Sequence, residues 1–214
     1  LIAGRDSLGW ARLLPFVSLN EHLCMQVVRR VMPAAVTEVS QDGQALVVHR
    51  FDVDGEGARH WGLEDFCALL GMRPSAKYET TWERIAKAVR DHVPISQRPQ
   101  TLRQMATLLL LTYALRNADC HAKNLALRYT NQTDVHLAPA FDVITTAAYP
   151  TYQNNPPGIS FMGKKTWAPG KHLGTFITAT FGVPARDQIS IVGAIADAMA
   201  TVAPLVRNAM STHT

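Results

Sequence analysis

The chain has 214 residues, 47% of them apolar and 18% charged, and a formal net charge of +4. At about 150 residues per domain this is one full domain or two small lobes, with enough chain to bury a core without disulfide staples and too many apolar residues for a disordered segment. The mild positive charge suits an anionic ligand such as a nucleotide and is too small to argue for DNA binding by itself.

Cys24, Cys67 and Cys120 lie far apart with no C-x-x-C pair. That excludes a disulfide scaffold and a cysteine-rich zinc site and points to a reducing, cytoplasmic compartment. The apolar run Met105 to Leu115 has 11 residues, against the roughly 20 of a membrane span. The apolar stretch 189–206 is interrupted by Asp197 and Pro204, so no membrane partner is expected. Arg5 and Asp6 come too early for a signal peptide.

Residues 1–19 are irregular, with a short strand expected at the start. Ser18-Leu19-Asn20-Glu21 fits a capping box; Leu23, Val27, Val28 and Val31 then recur at helical spacing up to Pro33. Val36 to Val39 and Ala45 to His49 flank Gln41-Asp42-Gly43, the pattern of a β-hairpin. Leu63 to Leu70, closed by Gly71, reads as a short helix, and Thr80 to His92 as a second, closed by Pro94. Pro99 to Arg116 is apolar nearly all round, the mark of a buried central helix. Leu125 to Tyr129 and Val135 to Leu137 alternate around a polar turn, a second hairpin. Residues 150–174 read as a long loop. Pro184 to Asn208 closes the chain as a helix that Pro204 should kink or end.

The informative segment is Asn117-Ala118-Asp119-Cys120-His121-Ala122-Lys123-Asn124, between the central helix and the second hairpin. Asp142, in Ala140-Phe141-Asp142-Val143, follows at the far end of that hairpin. Asp119, Asn124 and Asp142 can therefore converge at one mouth. The spacing matches phosphoryl-transfer sites of the kinase type, where an Asp accepts the acceptor hydroxyl's proton and an Asn five residues on joins a second Asp in holding Mg²⁺. Mg²⁺ wants hard oxygen ligands, and the base must be separate from them to keep its lone pairs. One D-x-x-x-x-N alone has almost no specificity; D-x-H-x-K-N followed by a hairpin and Phe-Asp has much more. A zinc site on Asp119, Cys120 and His121 would be crowded and lacks a fourth ligand.

These residues resemble the C-terminal kinase core of HipA-type toxin kinases, bacterial serine/threonine kinases of type II toxin–antitoxin systems. Asn117 to Leu127 and Ala140 to Thr146 carry the resemblance. Asn20-Glu21-His22-Leu23-Cys24-Met25 is similar to that family's N-E-x-x-C-M helix start, and Ser75-Ala76-Lys77-Tyr78-Glu79 to its S-x-K-Y-E element. Leu46 to Asp52 is similar to its E-R-F-D hinge, with His49 where Glu is usual, and Met162-Gly163-Lys164-Lys165 stands where the family has a glycine-lysine segment.

The resemblance implies an α+β, bilobal protein-kinase-like fold. Residues 1–52 would be a small, incomplete helix-plus-hairpin N-lobe with the hinge, and residues 53–214 a mainly helical C-lobe. It implies ATP and Mg²⁺, Asp119 as catalytic base, Asn124 and Asp142 as metal ligands, and adenine held by backbone groups of His49 and Phe51. His121 and Lys123 would lie beside the nucleotide phosphates. Blander readings stand beside these: His121 as a structural histidine, Lys123 as a surface lysine, Glu21 as a capping-box residue, Lys77 and Tyr78 as packing where a helix begins. The implied reaction is transfer of the ATP γ-phosphate to Ser or Thr of a protein, with an aminoacyl-tRNA synthetase as the family precedent. The implied partner is a helix-turn-helix antitoxin of HipB type, with DNA reached only through it. The family's glycine-rich loop and phosphate-gripping Lys have no clear counterpart in residues 1–19, where Ala3 stands near the expected Lys. A nucleotide-binding but catalytically impaired module acting through an antitoxin is the alternative.

Overall fold

The computed structural model describes residues 16–53, 58 and 60–212. The strand expected at the start of the chain, and Ala3 with it, lie outside the described residues.

Helix α1 (Val17–Val28) buries Cys24, Met25, Val27 and Val28. Its start differs from the expected capping box. The residue before it, Phe16, is left-handed and offers no side-chain cap, and the Ser18 hydroxyl donates to the Gln44 carbonyl instead. A long-range partner outcompetes the local one, and Glu21 is left free for another surface. The first hairpin forms as expected from β1 (Thr37–Val39) and β2 (Leu46–Val48), antiparallel, with Thr37 opposite Val48. It packs on α1.

Residues 63–65, expected as the start of a helix over Leu63 to Leu70, lie in strand β3 (Gly62–Asp65); the helix that follows, α2, is only Phe66–Leu69. β3 pairs antiparallel with β4 (Ala126–Asn131), which pairs with β5 (Asp134–Leu137). Local periodicity could not show a strand whose partner lies over sixty residues away. Gly62 is required there, because a Cβ would fall 2.5 Å from the Tyr129 ring. Asp65 then caps α2, accepting from the Ala68 N–H.

A 3-10 turn (Pro74–Ala76) leads to α3 (Trp82–His92), capped by the Thr81 hydroxyl, and to α4 (Arg98–Ala114) with Pro99 in its first turn. α4 is buried around most of its circumference and lies against α3, α5, α6 and β5. Burying each such Leu is worth about 1.5–3 kcal/mol, so α4 is the spine on which the following loop is set. The segment 150–174 expected as loop gives way at its end to helix α5 (Lys171–Phe181), which is ended by left-handed Gly182. α6 (Ala185–Thr212) runs on past Pro204 instead of ending there. Its 185–208 stretch is the one helix among the described residues long and apolar enough to cross a membrane, with a mean hydropathy of 1.9 over its most apolar 18 residues. Ile191, Ile195, Ala198 and Val202 nevertheless recur on one side and lie in the core, where α1 packs on α6.

Candidate active site

α4 delivers the chain into the site through a reversal. Leu115 closes the helix and Arg116 takes a left-handed conformation (φ 53°), which costs a non-glycine residue about 1–2 kcal/mol. Contacts with Thr146 and Trp167 help hold it there. The Thr146 hydroxyl donates to the Arg116 carbonyl (2.7 Å), the Thr146 N–H donates to the same oxygen (3.3 Å), and the guanidinium lies 4.6 Å over the Trp167 ring. Asn117, buried, accepts the Asp119 N–H on its side-chain oxygen at 3.0 Å. The base candidate is thus set by the two residues before it and by Thr146, four residues after Asp142.

Asn124 ties the loop together. It is buried, and its amide donates to the Asp119 carbonyl (3.2 Å) and to the Asp142 carbonyl (3.4 Å). Asp119, Asn124 and Asp142, separated in sequence, therefore do meet. Asp142 is left-handed (φ 56°). Desolvation in the cleft, then the negative charge of Asp119, raises its carboxyl's pKa, while Lys77 and Asn124 oppose the shift. On α1, desolvation followed by the charge of Asp142 pushes Glu21 up to about 8. Glu21 thus lies within the electrostatic reach of Asp142, beyond any capping role.

His121 is buried and its Nδ1 has no hydrogen-bond partner among the described residues. Burial depresses its pKa; Asp119 opposes this and Lys77 adds to it. The Lys123 amine donates to Asp65 at 2.6 Å, and from that ion pair it also acts on His121. Lys77 acts on both His121 and Asp142, so it is the cation that faces both sides of the loop. His49 donates its N–H to Val36 and places its ring nitrogen 2.8 Å from Glu38. The His49 carbonyl and the Phe51 N–H have no partner among the described residues. The Phe51 ring packs on Phe141, the neighbour of Asp142, with centroids 5.8 Å apart. The hinge segment is thereby joined to the metal-candidate segment.

Two residues carry more of the site than their sequence context suggested. Tyr78 donates its hydroxyl to Asp119 Oδ1 and packs edge-on to His121 at 5.0 Å. Asn20 donates to the Thr145 carbonyl (2.9 Å) and accepts the Thr145 N–H (3.0 Å), pinning the segment after Asp142 to α1. Both belong to motifs singled out in the sequence, but their partners lie 41 and 125 residues away. Gly158 completes the walls: a Cβ there would come within 2.3 Å of the Cys120 carbonyl, so the backbone of the long loop lies directly against the loop that carries Asp119.

The donor set fits Mg²⁺ held with a nucleotide. Asn124 spends its N–H groups on backbone carbonyls, and amide and carboxylate oxygens are the hard ligands Mg²⁺ takes alongside phosphate and water. No three His, Cys, Asp or Glu side chains converge on a metal position among the described residues, so the ion would need phosphate oxygens to complete its shell. The unpartnered His121 nitrogen and the unpaired backbone groups of His49 and Phe51 are further polar atoms suited to a bound nucleotide.

Comparison with known proteins places this geometry in a group. The HipA-like C-terminal domain matches residues 7–203. Among curated proteins, "Putative kinase Y4dM" of Sinorhizobium fredii is 32% identical over 118 residues, 55% of this chain and 27% of that protein. "Putative kinase Y4mE" of the same organism is 34% identical over 147 residues, 64% of this chain and 34% of that protein. The matches therefore span about a third or less of those relatives. Among solved structures, the Shewanella oneidensis HipA, HipB and operator DNA complex contains a chain of the same fold, with a TM-score of 0.69 at 21% identity, covering 87% of this chain and 49% of that one.

Proposed function

The chain belongs to the HipA-like C-terminal domain family, and from that premise we propose that it is the catalytic domain of a toxin-type protein kinase, transferring the γ-phosphate of ATP to Ser or Thr of a protein. The observation that supports this reading best is the Asn124 amide bridging the carbonyls of Asp119 and Asp142, which brings the proposed base and the two proposed metal ligands together.

In this reading Asp119 accepts the acceptor hydroxyl's proton. Asn124 and Asp142 would hold Mg²⁺, which when bound would neutralise charge on the phosphates. The His49 carbonyl and Phe51 N–H would hold adenine, and the Phe51–Phe141 contact joins their segment to the one that carries Asp142. Lys77, with His121 beside it, supplies positive potential at the transferred group; Lys123 supports it from its pair with Asp65. Residues 1–52 and 53–214 serve as the two lobes around this cleft. Three free, buried cysteines suit the reducing cytoplasm. A helix-turn-helix antitoxin is the proposed partner, through which DNA is reached, and an aminoacyl-tRNA synthetase the proposed class of substrate.

The test is a calorimetric titration of ATP with and without Mg²⁺, in the wild type and in Asp142→Ala. The wild type should bind more tightly with Mg²⁺, and Asp142→Ala should lose that dependence. An equal effect in both conditions would make Asp142 structural. ATP binding without phosphoryl transfer to any protein would leave the nucleotide-binding module.

A further inference from the structure

The Tyr78 hydroxyl donates to Asp119 Oδ1. That is the bond an acceptor hydroxyl makes to a general base before it attacks. The phenol is anchored in that place: its own carbonyl accepts from the Lys165 amine (2.8 Å), and the neighbouring Lys77 carbonyl accepts the Ala122 N–H of the catalytic loop (3.0 Å). Its ring packs edge-on to His121. Two ammonium groups stand near the ring, Lys77 at 5.0 Å and Lys165 at 5.9 Å from its centroid. The charge of Asp142 also reaches the phenol.

Beside Tyr78 lies a cavity of about 340 Å³, lined by Lys77, Asp119, Thr146, Tyr149 and Tyr152 among others. Of the other hydroxyls there, Thr146 donates to the Arg116 carbonyl and the Tyr149 oxygen accepts from the Asn20 amide. Of the hydroxyls lining the cavity, the one on Asp119 is that of Tyr78. Burial and the bond to Asp119 raise the phenol's pKa, so it remains a proton donor at neutral pH.

We propose that Tyr78 is a phosphoacceptor of its own domain, taking the γ-phosphoryl group of ATP in cis. This rests on the kinase reading above. The Tyr78 oxygen forms a bond to the γ-phosphorus as the bond from that phosphorus to the β–γ bridging oxygen breaks. ADP leaves with that electron pair, and the phenolic proton passes to Asp119. No reactant besides ATP is required. The product dianion, with Lys77 and Lys165 near its ring, keeps a negative group between Asp119 and any incoming hydroxyl and so slows transfer to an external protein.

The experiment incubates purified protein with Mg²⁺ and γ-labelled ATP and maps phosphate in the tryptic peptide from Tyr78 to Arg84, resolving Tyr78 from Thr80 and Thr81. Label on Tyr78, at a first-order rate independent of protein concentration, is expected. Asp119→Asn should lower it about 10²-fold or more, the scale of losing a general base, and that variant should stay unlabelled when mixed with the wild type. Label only on other residues would overturn the proposal and leave the kinase reading standing. Absence of any ATP binding would overturn both. A nucleotide-free readout checks the contact itself: NMR titration of ¹³C-labelled tyrosine, with the Tyr78 signal assigned through Tyr78→Phe. Asp119→Asn should lower the Tyr78 pKa, and an unmoved titration would overturn the placement of the phenol on the base.

Discussion

Asn20 and Thr145 hold each other by two hydrogen bonds, side-chain amide to carbonyl at 2.9 Å and backbone N–H to side-chain oxygen at 3.0 Å. The pair ties α1 to the segment that begins at Asp142, as a strand pairing would, with one side chain acting as the second strand. The same amide donates to the Tyr149 hydroxyl at 3.0 Å. Asn20→Ala leaves these groups without their partner, a loss of about 1–3 kcal/mol. Urea unfolding should show that loss, and Mg²⁺-dependent ATP affinity should fall with it, because Asp142 is no longer fixed. Unchanged affinity in a destabilised variant would separate the clamp from the metal site.

Gly158 gives a second, independent handle on the loop that carries Asp119. A methyl group there meets the carbonyls of Cys120 at 2.3 Å and Ala118 at 2.9 Å, and backbone cannot swing aside as a side chain can. Gly158→Ala should cost about 1–3 kcal/mol by overpacking. It should also lower kcat more than it weakens ATP binding, since it displaces the residues on both sides of Asp119. Steady-state kinetics beside nucleotide titration would read the split; a loss confined to ATP affinity would contradict it.

Glu21 makes stability depend on pH. Its folded pKa is about 8 against an ordinary 4.5, through desolvation and then the charge of Asp142. Between those values the folded chain holds a proton that the unfolded chain has released. The Glu21 contribution to stability is therefore full below about pH 4.5 and is lost as pH rises through the window to about 8. In metal-free buffer, Glu21→Gln should flatten that part of the curve. Unfolding curves at several pH values check it, and identical slopes in the two proteins would show Glu21 to be solvated.

Much of this site is readable from residue order because its key spacings are local. Asp119 and Asn124 share one loop, and a hairpin with an ordinary polar turn carries the chain to Asp142. The two hairpins and helices α3 and α4 follow from alternation, caps and apolar faces. Features set by distant partners were not readable in that way. Strand β3 exists because β4 pairs with it. Ser18 abandons the capping box for Gln44. Helix α5 lies in a segment rich in Gly and Pro upstream, and Gly174 within it contacts Gln188 of α6. Tyr78 and Asn20 stand in motifs that resemblance flagged, but only the folded chain shows what each hydroxyl and amide touches.

Asp119 and its neighbours are best judged by one substitution. Asp119→Asn keeps the shape of the side chain and removes its basicity. With a protein acceptor, ATP and Mg²⁺, phosphoryl transfer should fall by about 10²–10⁴, while ATP affinity and the unfolding midpoint stay near those of the wild type. Transfer at the wild-type rate in that variant would contradict the assignment of Asp119 as the base, and with it the account of this loop as a kinase active site.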